Sequence, residues 1–191
     1  MKAFFDKYSH DIVKMFVYQF AISIFGLGLF LATSTTDNNL FTGIVSAFSI
    51  LFYLFLLYNM TWEIGAKDRI AVDTGKKAYL PHTGLVIALW ANIPNFIIAI
   101  VFTVAYPFIN SGVENWASNT AFITQMASFF VQGMYRGILS VIIMFESRLY
   151  NYWWTYFIII IPALVTCWLA YFVGHKNFKF TSLFTNAQKN Q

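Results

Sequence analysis

The sequence predicts an all-α polytopic integral membrane protein, and three observations carry that prediction. Of 191 residues, 59% are hydrophobic, 20% aromatic and only 10% charged, whereas an ordinary globular domain carries roughly a quarter charged residues. The 22 Phe, 11 Tyr and 6 Trp exceed what a soluble core of this size can bury. Several uncharged stretches also approach the length of about 20 residues that crosses a bilayer as helix. They are continuous runs, without the apolar–polar alternation of barrel strands, so helices are the structure that satisfies their backbone in lipid. This composition excludes a soluble enzyme, a disordered chain and a disulfide scaffold. The expected architecture is one membrane domain, residues 1–191. It has four full transmembrane helices and a short-helix hairpin, re-entrant or tilted, with an interfacial amphipathic helix at the N-terminus. That makes about six helical segments in all.

Residues 1–14 come first. Phe4, Phe5, Tyr8 and Ile12 fall at helical spacing, with Asp6, Lys7, Asp11 and Lys14 on the other face. Such a helix is expected to lie in the membrane interface. Residues 15–32 form the first span. A basic flank and small residues at its end resemble a signal peptide, but the apolar stretch is longer than usual and lacks a small-x-small cleavage pattern, so a retained span is expected. The second span is 41–60, the third 84–106 and the fourth 153–173. Tyr150, Tyr152, Trp153 and Trp154 precede the last as an aromatic belt.

Orientation follows from Lys and Arg, which favour cytoplasmic loops. Ten of the 12 are Lys2, Lys7, Lys14, Lys67, Arg69, Lys76, Lys77, Lys176, Lys179 and Lys189. The linkers 33–40 and 107–120 carry only Asp37 and Glu114. Both termini, the loop 61–82 and the tail 174–191 are therefore expected in the cytoplasm, with the protein in the cell membrane. Three spans leave the chain outside at Pro107, and the fourth brings it back. Residues 119–150 must then begin and end outside. A helical hairpin does this, turning at Gly133-Met134-Tyr135-Arg136-Gly137, where glycine permits reversal. Its arms are expected at about 119–132 and 138–150. The rival is one long tilted helix. Gly133-x-x-x-Gly137 also fits the small-residue packing motif, but turn and packing face compete for the same residues, and the turn is preferred. Gly26 and Gly28 are expected to allow close helix contact.

The third span holds the sharpest polar signal, Trp90-Ala91-Asn92-Ile93-Pro94-Asn95. Pro94 removes a backbone donor and frees the carbonyl of Trp90. Asn92 and Asn95 are three apart and face nearly the same way. Broken helices near the bilayer midplane recur at transporter sites, although such amides also serve as glue between helices. Gln19 and Ser23 repeat the theme in the first span. Gln125, Gln132, Arg136 and Ser140 form a polar stripe if their segment is continuous. Arg136 suits an anion or a carboxylate, or a structural partner such as Glu146. Asn92, Asn95, Arg136, Gln132 and Gln19 are therefore the candidate solute-binding residues.

The loop 61–82 mixes acids and bases with Trp62, Ile64 and Ile70. A short helix from about Trp62 and a turn at Asp73-Thr74-Gly75-Lys76 are expected. It is a solvated connector or a docking element for a partner, in which case Trp62, Lys67, Arg69, Lys76 and Lys77 would bind it.

Catalytic and metal motifs are weak. Asp73-Thr74-Gly75 matches the aspartic-protease triplet, but no second triplet supplies the other carboxylate that chemistry needs. Gly75-Lys76 lacks the rest of a phosphate loop. His10, His82 and His175 are far apart, and no His-x-x-x-His spacing occurs. Cys167 is alone and suits a buried small residue. No enzyme activity, metal or cofactor is expected. Asn59-Met60-Thr61 is a glycosylation sequon on the inner side, where it would go unused. The net charge of +4 is explained by the lysine-bearing ends, which suit anionic lipid, so nucleic acid is not an expected partner.

Two functions remain. One is a transporter or transporter subunit that handles a small polar solute through a pocket between helices. The other is a non-transporting scaffold or accessory subunit, single or oligomeric, that recruits a cytoplasmic or membrane partner. In length, number of helical segments and placement of both termini, the chain is similar to the substrate-binding subunits of energy-coupling-factor transporters. Its inner loop after the second helix and hairpin before the last resemble the layout of small exporter permeases. Both likenesses lie in layout, and no site residue follows from them.

Overall fold

A computed structural model describes residues 2–36, 38–76, 78–109 and 115–176. Lys77, the acidic residues Asp37 and Glu114, and the tail from 177 onward lie outside the described residues. Among the described residues the chain is nearly all helical, and three helices, or four if a bent pair is one span, are long and apolar enough to cross a membrane. The helices are α1 (Lys2–Ser34), α2 (Asn39–Asp73), α3 (Thr83–Ala91), α4 (Ile93–Ala105), α5 (Asn115–Val131), α6 (Gly133–Val141), α7 (Thr155–Ile158) and α8 (Ile161–His175). A two-stranded hairpin, β1 (Ile143–Met144) and β2 (Ser147–Arg148), follows α6.

Two expected boundaries change. Residues 2–14 are no separate element; they are the first turns of α1, with no proline or turn to end the helix before Ser34. Their apolar face meets protein. Tyr8 is buried, and the Phe5 ring packs edge-on at 4.5 Å against Trp90 of α3. The helix expected from about Trp62 inside a loop is instead a direct continuation of α2 as far as Asp73. Thr61, Ile64, Gly65 and Asp68 continue the buried stripe of Ser46, Ser49, Tyr53 and Leu57 at helical spacing. The chain turns only at Thr74–Lys76, where Gly75 adopts φ +70°. At 1.5 Å per residue α1 and α2 are each about 50 Å long, well beyond a hydrocarbon core of about 30 Å.

Contacts give the bundle two ends. At one, Asp68 joins α1, α2 and α8 through Lys7, Tyr8 and Tyr171, and Tyr79 stacks on His175 at 4.1 Å. Glycine lets helices close here. A Cβ at Gly174 would collide with the Trp62 backbone, and one at Gly65 with the Tyr171 carbonyl. At the other end, Thr33, Asn38 and Thr42 face Ser140, Val141 and Arg148 around one cavity, and Phe108 packs on Trp116.

Helix α5 starts at that second end and reaches mid-bundle at Val131, beside Gln19 and Ser23. Helix α6 starts there and climbs back, ending at Val141 near Thr33 and Thr42. The reversal lies at Gln132 (φ −127°, ψ 18°), just before the expected turn. Gly133–Gly137 are therefore helical and serve as the packing face. Gly133 sits against the Ser23 carbonyl, Gly137 against Ser46 and Gly26 against Met134, each too close for a Cβ. Gly28 has open space and makes no such contact. The second arm is shorter than expected. It stops at Val141 because Ile142 is extended and begins the β-hairpin, whose turn places Phe145 and Glu146 at positive φ.

Candidate functional site

Two helix breaks face one another halfway along α1. The first separates α3 from α4 at Asn92, with a bend of 57°. Pro94 lies in the first turn of α4, so the Trp90 carbonyl has no i+4 donor. The Asn92 side chain folds back on its own helix, its Nδ2 donating at 2.9 Å to the Ala88 carbonyl, which also accepts from Asn92 N–H. Asn95 Nδ2 then donates to Asn92 Oδ1 at 2.7 Å, and Gln132 Nε2 donates to Asn95 Oδ1 at 3.2 Å. The result is a relay of three amides from a kinked helix to the α5–α6 turn.

The second break is that turn. In a continuous helix the Val131 carbonyl would accept from the amide of Tyr135; here Tyr135 N–H donates to the Gln132 carbonyl instead. The freed Val131 carbonyl accepts from Ser23 Oγ at 2.7 Å and Gln19 Nε2 at 3.2 Å, both on α1. Ser46 of α2 then enters the ladder of α6. Its hydroxyl donates to the Met134 carbonyl at 2.9 Å and accepts from Ile138 N–H at 3.0 Å, standing between two groups that normally pair. Polar side chains of α1 and α2 thus replace the bonds that the reversal costs, as buried backbone requires.

Asn92, Asn95, Gln132 and Gln19 all line one small cavity with Tyr135. Each is at most 5% exposed. Arg136, the fifth candidate, is elsewhere. Its guanidinium lies between the rings of Phe129 (4.0 Å) and Tyr150 (3.9 Å), in cation–π contact with both. It forms no ion pair among the described residues, and Glu146 is exposed at the hairpin tip. The expected polar stripe fails for the same reason: the break at Gln132 ends the helical register. Gln125 lines an open cavity of about 580 Å³ near Tyr106, and Ser140 bonds its own helix at the Gly137 carbonyl.

The candidate partner-binding residues split as well. Trp62 is half-buried against Gly174. Lys67 pairs with Glu63 at 2.7 Å and Arg69 with Asp73 at 3.4 Å, both along the helix. Lys76 is exposed in the turn. Cys167 is fully buried. Among the described residues no three His, Cys, Asp or Glu side chains gather to hold a metal.

Sequence reasoning missed Asp68 and Tyr135. Asp68 is 2% exposed; its carboxylate accepts from Lys7 Nζ and Tyr171 Oη at 2.8 Å each and from the Tyr8 hydroxyl. Its signal was the helical spacing from Thr61 and Ile64, hidden among charged neighbours. Tyr135 was absorbed into the expected turn. No protein-family model matches this chain, and neither a curated protein nor a solved structure does.

Proposed function

We propose that this chain is a small multi-pass protein of the cell membrane that handles a small polar solute, as a transporter or transporter subunit, through the amide cluster. The observation that carries this reading is the convergence of Gln19, Asn92, Asn95 and Gln132 at two facing helix breaks, halfway along an otherwise apolar bundle. Broken helices that meet at mid-membrane depth are a recurrent way to offer polar groups to a passing solute. In this reading the Asp68 end, which carries the lysine-rich segments, faces the cytoplasm. Helices α5 and α6 then form a re-entrant pair that dips from outside and places Gln132 at the deepest point. Apolar side chains such as Ile44, Phe48, Phe55, Ile97 and Val104 point outward, as lipid requires.

The test is osmotic swelling of proteoliposomes in urea, glycerol and formamide. At least one of these should enter faster than into protein-free vesicles. Asn95→Leu should abolish the difference, because it cuts the relay at its middle, while costing about 1 kcal/mol of stability, typical of an interhelical side-chain bond. Equal entry with and without the protein for all three solutes overturns the reading.

A further inference from the structure

We infer that the amide cluster is built for a neutral guest that donates two hydrogen bonds and accepts one, and that in this conformation the guest is a single water. The inference rests on the reading of the cluster as a binding site and names what it takes. Its starting point is which polar atoms remain unused. The nitrogens of Asn92, Asn95, Gln132 and Gln19 all donate to protein oxygens. The oxygens of Asn92 and Asn95 accept within the relay. Three buried atoms of the cavity lining have no hydrogen-bond partner among the described residues: Gln19 Oε1, Gln132 Oε1 and Tyr135 Oη. Their residues are 2%, 4% and 5% exposed. Buried polar atoms of this kind are rarely left unbonded.

Chemistry narrows the guest. Two of the three atoms are acceptors only and meet an anion unfavourably, which leaves it the Tyr135 hydroxyl and the second N–H of each amide as donors, with no cationic side chain in the lining to offset its charge. A metal cation finds three neutral oxygens, where hard divalent ions take six or more, and no carboxylate lines the cavity to offset its charge. Arg136, already a buried positive charge without an ion pair among the described residues, stands one residue beyond Tyr135 on the same short helix. A neutral molecule with two donors satisfies Gln19 and Gln132 together and accepts from Tyr135. The cavity volume of about 10 Å³ matches the room of about 10–15 Å³ that one water needs by this measure. A larger neutral donor of the same pattern enters only when the α5–α6 turn withdraws from α1.

The test is the conservative variant Tyr135→Phe, purified as the full chain in detergent and followed by thermal unfolding. A bound guest that uses the hydroxyl makes this change destabilising, with a midpoint lower by about 2–4 °C for each kcal/mol lost. An unfilled cavity makes it neutral or stabilising, since a buried unbonded hydroxyl is removed. An unchanged or raised midpoint therefore overturns the inference. In a second arm the wild-type midpoint is compared in sodium, potassium and choline chloride at equal ionic strength. Equal midpoints are expected; a rise specific to sodium or potassium that Tyr135→Phe removes assigns the cavity to a cation and overturns the neutral guest. Neither arm reads solute entry, so failure here is separable from failure of the Asn95→Leu assay.

Discussion

The Asp68 junction and the amide cluster both bury polar side chains where several helices meet, yet they are finished differently. At the junction one carboxylate receives a lysine and two tyrosine hydroxyls, and glycines beside it bring backbones into contact. In the cluster two amide oxygens and a hydroxyl have no partner among the described residues. A hub whose two acceptor oxygens are both engaged is committed to holding its own helices together. An unsaturated one keeps capacity for a guest, at the cost of weaker internal bonding. The difference separates scaffold from candidate site without reference to which residues are more polar.

The sharpest way to break the comparison is Asp68→Ala. It leaves two buried hydroxyls and one ammonium without their acceptor, so a loss of about 3 kcal/mol is expected, near the low end for breaking a buried pair because Lys7 is half exposed. A thermal or denaturant midpoint indistinguishable from wild type would show that the junction is not a hub at all. Gly174→Val comes next. Its new side chain meets the Trp62 backbone, which cannot swing aside, and overpacking of this kind costs about 1–3 kcal/mol. Gly28→Val is the control: nothing lies within 4 Å of its Cβ, so unfolding midpoints of the two variants should differ widely. Smallest is Arg136→Lys. The charge survives, but the flat guanidinium that fills the gap between Phe129 and Tyr150 does not, and about 1 kcal/mol should be lost. Solute entry should persist in this variant, because Arg136 does not line the amide cavity. Abolished entry in a folded Arg136→Lys protein would return the guanidinium to the site.

What was legible in the sequence follows a physical pattern. Long apolar runs announce helices because burial and lipid both demand them, and the Asn92–Pro94 break is legible because proline has one effect on a helix wherever it sits. Gln19, Asn92, Asn95 and Gln132 do gather, since each is a polar exception in an apolar run. Arg136 does not join them, because helical spacing carries no information across a break, and the break comes at Gln132 itself. The extension of α2 was obscured by Glu63, Lys67, Arg69 and Asp73, whose charges read as loop although they occupy only the outward faces of a continuing helix. Gly133–Gly137 misled for a related reason. Glycine permits both reversal and close approach, and the choice was made by Ser23 and Ser46, more than eighty positions earlier in the chain.

The length of α2 has a mechanical meaning. This helix is an uninterrupted rod with no proline, gripped near one tip by Asp68 and near the other by the Ser46 hydroxyl wedged into α6. One unbroken helix thereby ties the Asp68 junction to the hydrogen-bond ladder beside the deep turn. The two grips stand about 33 Å apart along the rod, at about 1.5 Å of rise for each residue from Ser46 to Asp68.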